Sequence, residues 1–115
     1  MAHSRNKGTS TFIRQRATAV LNIPLIGFFI WLVVSLQGAS RAEMVATFSN
    51  PLVYILALIL FGSVLVHMRI GMNEIIEDYV HPPALHNLAK LANTVFAIAV
   101  GAVAVISVLV LAFGG

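Results

Sequence analysis

The chain alternates between long uninterrupted apolar runs and short polar connections, a pattern of neither β-strands nor amphipathic surface helices. Three runs approach or exceed the roughly 20 helical residues that span a bilayer's hydrocarbon core. The first, Ala17 to Leu36, holds no charge; its polar content is limited to Thr18, Asn22 and Ser35, and Pro24 sits in its interior. The second starts at Pro51, stays apolar to about Met68 and is predicted to remain helical into Tyr79. Its opening, Ser49-Asn50-Pro51, puts an N-capping side chain before a proline suited to the first helical position. The third, Leu91 to Phe113, is uncharged and rich in Ala and Val, with small residues at Ala97, Gly101 and Ser107 that suit close helix packing. The pattern predicts an all-α membrane protein with spans at about 17–36, 51–72 and 91–113, forming a single membrane domain over residues 1–115.

Composition agrees. Of 115 residues, 59% are hydrophobic and only 10% charged, against about a quarter charged in soluble domains. The net charge of +3 does not indicate nucleic-acid binding, because the charges sit at the ends of the apolar runs. Arg5, Lys7, Arg14 and Arg16 precede the first span with no acid among them, and the following loop has only Arg41. The positive-inside rule therefore makes residues 1–16 a cytoplasmic segment. Three crossings put the Arg69 to Lys90 connection inside and the C-terminus outside, with six of the seven basic residues on the inner face. Gly38-Ala39-Ser40 resembles a leader cleavage site, but the apolar core before it is longer than the 7 to 15 residues usual in signal peptides. With no cysteine, thiol catalysis and iron-sulfur ligation by this chain are excluded, so any redox chemistry uses a borrowed group.

His67 is the one ionisable side chain inside the apolar spans, and an intramembrane ionisable residue marks a functional site by default. Three readings stay open: a metal or haem ligand, a neutral imidazole satisfied by a neighbouring helix, and a proton-linked residue of a small transporter or pore. At about 100° per residue, Ser63, His67 and Gly71 share one stripe. The small neighbours leave room for a flat group or for another helix. If His67 binds haem, a second axial ligand must come from another subunit, since His3 lies in the tail and His81 and His86 flank Pro82-Pro83 at the interface.

Further along the same helix, Glu74 and Asp78 return to within about 20° of the His67 direction, with Asp78 about 16 Å beyond it. Glu74, Glu77, Asp78 and Tyr79 form either a solvated acidic end with an interfacial tyrosine or a site where a tyrosine hydroxyl donates to a ligand carbonyl, such as that of a quinone. Arg14, Arg16 and Arg69 set topology first. Arg16 is the best placed to pair with carboxylates such as haem propionates, whereas Arg69 points roughly 200° from His67.

The stretch His67-Met68-Arg69-Ile70-Gly71-Met72 followed by Ile75-Ile76-Glu77-Asp78-Tyr79-Val80, together with Arg16-Ala17-Thr18-Ala19, resembles the membrane-anchor D subunit of succinate dehydrogenase, respiratory complex II. Length and three-span topology agree over nearly the whole chain. The resemblance implies an anchor in the bacterial inner (cytoplasmic) membrane, packed against a second anchor subunit of the cytochrome b type and holding the flavoprotein and iron-sulfur subunits. It places His67 at the haem b iron, Arg16 near the haem propionates, Tyr79 at ubiquinone and Asp78 beside that site. Arg69 and Asn73 depart from the residues expected there.

Overall fold

The computed structural model describes residues 2–114, with side chains from Gly8 onward, so the side chains of His3, Arg5 and Lys7 lie outside the described part. The described residues form four helices: α1 (Ala2–Ser35), α2 (Arg41–Phe48), α3 (Pro51–Tyr79) and α4 (Pro83–Ala112). Three of them, α1, α3 and α4, are long and apolar enough to cross a membrane.

The helices outrun the apolar spans. At 1.5 Å per residue α3 is about 44 Å long, against a hydrocarbon core of about 30 Å. Its last turns, which carry Glu74 to Tyr79, therefore project past the apolar layer. Helix α1 begins at Ala2 rather than at the apolar boundary near residue 17, because the basic and polar residues before that boundary tolerate helix once outside hydrocarbon. It passes through Pro24 without a break. Helix α4 begins at Pro83, eight residues before its apolar run, with Pro83 itself at the first helical position.

The starts and stops are local chemistry. Asn50 caps α3 by accepting from the Leu52 N–H at 3.0 Å, with Pro51 at the first position as the sequence predicts. The connection between the first two spans is not all loop: Gly38, at φ 72°, turns the chain, and an eight-residue helix follows. Ser40 Oγ accepts from the Glu43 N–H at 3.1 Å while the Glu43 carboxylate reaches back to the Ser40 backbone, a reciprocal capping box that nucleates α2.

Helix α3 is the middle of the molecule. It packs against α1 on one side and α4 on the other, and α1 and α4 do not meet among the described residues. The interior is correspondingly thin: Leu25 and Leu32 from α1, Val53, Ala57, Leu60, Ile70 and Ile76 from α3, and Ala97, Val108 and Ala112 from α4. Gly101 lets α4 approach α3, since a Cβ there would lie 3.2 Å from Leu65 Cδ1. Of the three small residues expected to pack, Ala97 and Gly101 do so and Ser107 faces outward. Large apolar side chains such as Ile23, Val34, Ile98 and Val103 are exposed. An apolar exterior over a thin interior is what a chain solvated by lipid and by other helices requires.

Candidate functional site

Polar side chains form two ladders on opposite sides of α3. On the α1 side, numbers rise along α1 as they fall along α3, as antiparallel neighbours must. Gln15 lies against Gly71, where a Cβ would come within 3.3 Å of Gln15 Nε2. Thr18 Oγ1 lies 3.1 Å from His67 Nδ1, and Ser63 Oγ donates to Asn22 Oδ1 at 2.6 Å with both side chains buried. The stripe Ser63, His67, Gly71 is thus the seat of α1, and the small residues on it admit a helix at this point.

His67 itself is half-buried. Its Nδ1 is engaged by Thr18, and its Nε2 has no hydrogen-bond partner among the described residues. In the sequence Thr18 is legible as one of three polar residues in an apolar span and as part of Arg16-Ala17-Thr18-Ala19, with nothing to pair it with His67. The signal that could have found it is the matching of Gln15, Thr18 and Asn22, one face of α1, to Gly71, His67 and Ser63 in reverse order.

On the α4 side, Arg69 donates through Nε and Nη2 to Thr94 Oγ1 at 3.4 and 3.2 Å. Asn93 Nδ2 donates to the Arg69 carbonyl at 3.0 Å and to Asn73 Oδ1 at 2.9 Å. The roughly 200° separation of Arg69 from His67 along the helix is what places one on α4 and the other on α1. The residues that depart from the resemblance, Arg69 and Asn73, are those that clamp α3 to α4.

Where α3 leaves the apolar layer, an open cleft of about 810 Å³ lies between α1, α3 and α4. Arg14, Arg16, Arg69 and Lys90 line it with Glu74 and Glu77. Lys90 and Glu77 neutralise each other across 2.7 Å, so the remaining lining carries three arginines against one carboxylate. Arg16 is exposed and lies over the Phe12 ring, 5.6 Å from its centroid. Gln15 Oε1, also at the cleft, is buried without a hydrogen-bond partner among the described residues. The arginines of the cleft suit an anionic group such as a carboxylate, and the partner-free ring nitrogen of His67, which does not itself line the cleft, suits a metal.

Tyr79 and Asp78 stand apart from this cleft. Both are exposed on the last turn of α3, Tyr79 at 77%. Neither lines the cleft, and the chain alone brings no second wall up to them. Just beyond, His86 Nδ1 donates to the Val80 carbonyl at 2.9 Å and fixes the turn between α3 and α4, which gives His86 a structural task; His81 is exposed. Among the described residues, no group of three or more His, Asp or Glu side chains could hold a bare metal ion.

A three-span helical anchor with one intramembrane imidazole and a basic cleft at one end defines the class of protein. The model of the succinate dehydrogenase/fumarate reductase transmembrane subunit family matches residues 2–110, and the chain belongs to that family. It is accordingly a multi-pass membrane protein that works in a complex with other subunits of such an enzyme.

Proposed function

We propose that this chain is the D-type anchor subunit of a bacterial succinate dehydrogenase, with its N-terminus in the cytoplasm and its C-terminus in the periplasm. It shares haem b with a second anchor of the cytochrome b type and completes a site where ubiquinone is reduced. It also holds the iron-sulfur and flavoprotein subunits at the inner membrane. The observation that carries the reading is His67: an imidazole within an apolar span, with one ring nitrogen tied to α1 and the other without a partner among the described residues.

In this assignment His67 would hold the haem iron through Nε2, and the cytochrome b-type anchor would contribute a further ligand. Arg16 would pair with the propionate carboxylates, for which a guanidinium is the best-matched partner. The haem, when bound, would supply a one-electron carrier. Tyr79 donates its phenolic O–H to a ubiquinone carbonyl. Asp78, exposed beside it, provides a path for protons between water and the quinone oxygens. Reduction of ubiquinone to ubiquinol consumes two electrons, delivered from succinate through the soluble subunits, and two protons, taken from the side of the membrane where Asp78 and Tyr79 lie.

The test is a dithionite-reduced minus air-oxidised visible spectrum of the complex that co-purifies with this chain in mild detergent. Sharp low-spin b-type bands that are lost or shifted in His67→Ala are the expected result. A flat spectrum from an intact multi-subunit complex overturns the haem assignment, and bands unchanged in His67→Ala remove His67 as the ligand.

A further inference from the structure

We infer that Thr18 is the positioning residue that holds His67 in the tautomer able to bind a metal through Nε2. The inference rests on the haem reading above and adds a residue on a different helix. An imidazole ligates through a nitrogen that carries no proton, so a histidine that binds through Nε2 must keep its proton on Nδ1. What faces Nδ1 therefore decides whether the ligand is ready before the metal arrives.

Thr18 Oγ1 makes three polar contacts and has one hydrogen to give. It donates to the Arg14 carbonyl one turn back at 2.8 Å and also approaches the Gln15 carbonyl at 3.1 Å. Both carbonyls are acceptors only and lie on its own helix, where threonine inside an apolar span usually directs its hydrogen. The third contact is His67 Nδ1 at 3.1 Å. With its hydrogen directed there, Thr18 offers Nδ1 a lone pair, and in this inference Nδ1 donates. The Nε2 lone pair is left outward and free.

The chain of bonds runs from imidazole to hydroxyl to backbone carbonyl. Each bond polarises the next, so the carbonyls make Thr18 a better acceptor and His67 a more electron-rich ligand. Metal-bound histidines commonly have such a partner on the second nitrogen, and losing it typically costs about 10–100-fold in metal affinity. A threonine that merely filled space between α1 and α3 would need no such alignment. Valine, nearly the same shape, would serve equally.

The experiment compares whole complexes carrying wild-type chain, Thr18→Val, Thr18→Ala and Thr18→Ser. It reads haem transfer to an excess of a haem-scavenging apoprotein, the electron paramagnetic resonance g-values of the ferric haem, and its midpoint potential. Val and Ala are expected to speed haem loss by about 10–100-fold, to move the potential upward as the ligand becomes less electron-rich, and to shift the g-values together. Ser, which keeps the hydroxyl, restores all three. A Thr18→Val complex with wild-type haem loss, g-values and potential overturns the inference. So does a change confined to Ala, which would mark lost packing. Should Val fail to assemble, the contrast of Ser with Ala reads the same quantity. A wild-type complex without haem overturns the underlying assignment and takes this inference with it, whereas haem-bearing wild type with an unmoved Val variant overturns this inference alone.

Discussion

Ser63 on α3 gives its hydroxyl hydrogen to Asn22 Oδ1 on α1 across 2.6 Å, in the interior of the helix pair and one turn below His67. In a membrane there is little hydrophobic force to hold two helices together, so such bonds and close packing carry the association. The two partners are not equivalent. Ser63→Ala leaves a buried amide oxygen without its donor, whereas Asn22→Leu leaves a hydroxyl that can turn to a carbonyl of its own helix. Ser63→Ala is expected to cost about 1 kcal/mol, and Asn22→Leu less. Thermal unfolding of the purified complex in detergent checks the order; an equal or reversed pair of losses contradicts it.

The clamp between α3 and α4 depends on one amide. Asn93 Nδ2 serves both the Arg69 carbonyl and Asn73 Oδ1, and Asn93 is buried. Asn93→Ala strips two acceptors at once and is expected to destabilise the complex by about 1–3 kcal/mol. Because the clamp lies on the face of α3 away from His67, the visible spectrum of the surviving complex should match wild type. A spectral change as large as that from His67→Ala would mean the two faces of α3 are coupled.

Gly71 reports how closely α1 must seat. A Cβ at this position meets only the far end of Gln15 at 3.3 Å, and a flexible side chain can yield by a few tenths of an ångström. Gly71→Ala should therefore leave both stability and spectrum near wild type. Gly71→Leu cannot be absorbed in that way; it should push α1 from α3, lengthen the Thr18 to His67 contact and disturb the haem bands. Spectra of the two variants decide it, and a normal Leu variant would show that α1 does not need a close seat here.

Tyr79 separates the anchor's redox role from its docking role. Removing only the hydroxyl, Tyr79→Phe is expected to lower succinate:quinone reductase activity by about 10²–10⁴-fold if the O–H acts in proton transfer. Succinate oxidation with a soluble dye should be unaffected. Parallel assays on one preparation check it. Equal losses in both would make Tyr79 a docking residue.

Much of this architecture can be read directly from the chain. Long charge-free runs can satisfy their backbone in lipid only as helices, so the three spans, the Asn50-Pro51 start and the extension of α3 to Tyr79 follow from residue types in order. The capping box that begins α2 is equally local: Ser40 and Glu43 stand three apart before Met44-Val45. It hides in a segment that reads as connection, because its helix is short and no apolar period announces it. The true starts of α1 and α4 are hidden for a related reason, since apolarity marks where hydrocarbon begins and helix does not stop there.

By itself the sequence determined that His67 would be the ionisable group at membrane depth and that Arg69 would face away from it, since both follow from composition and a fixed rotation per residue. Tertiary structure decided which helix each of them meets. Thr18, 49 residues from His67, and Asn93, 20 residues from Asn73, become partners only when antiparallel helices settle into one register. That register is the sum of many contacts between small residues, such as Gly71 under Gln15 and Gly101 under Leu65. Hydrophobic periodicity says which side of a helix is buried, but it carries no information about how far one helix slides along another.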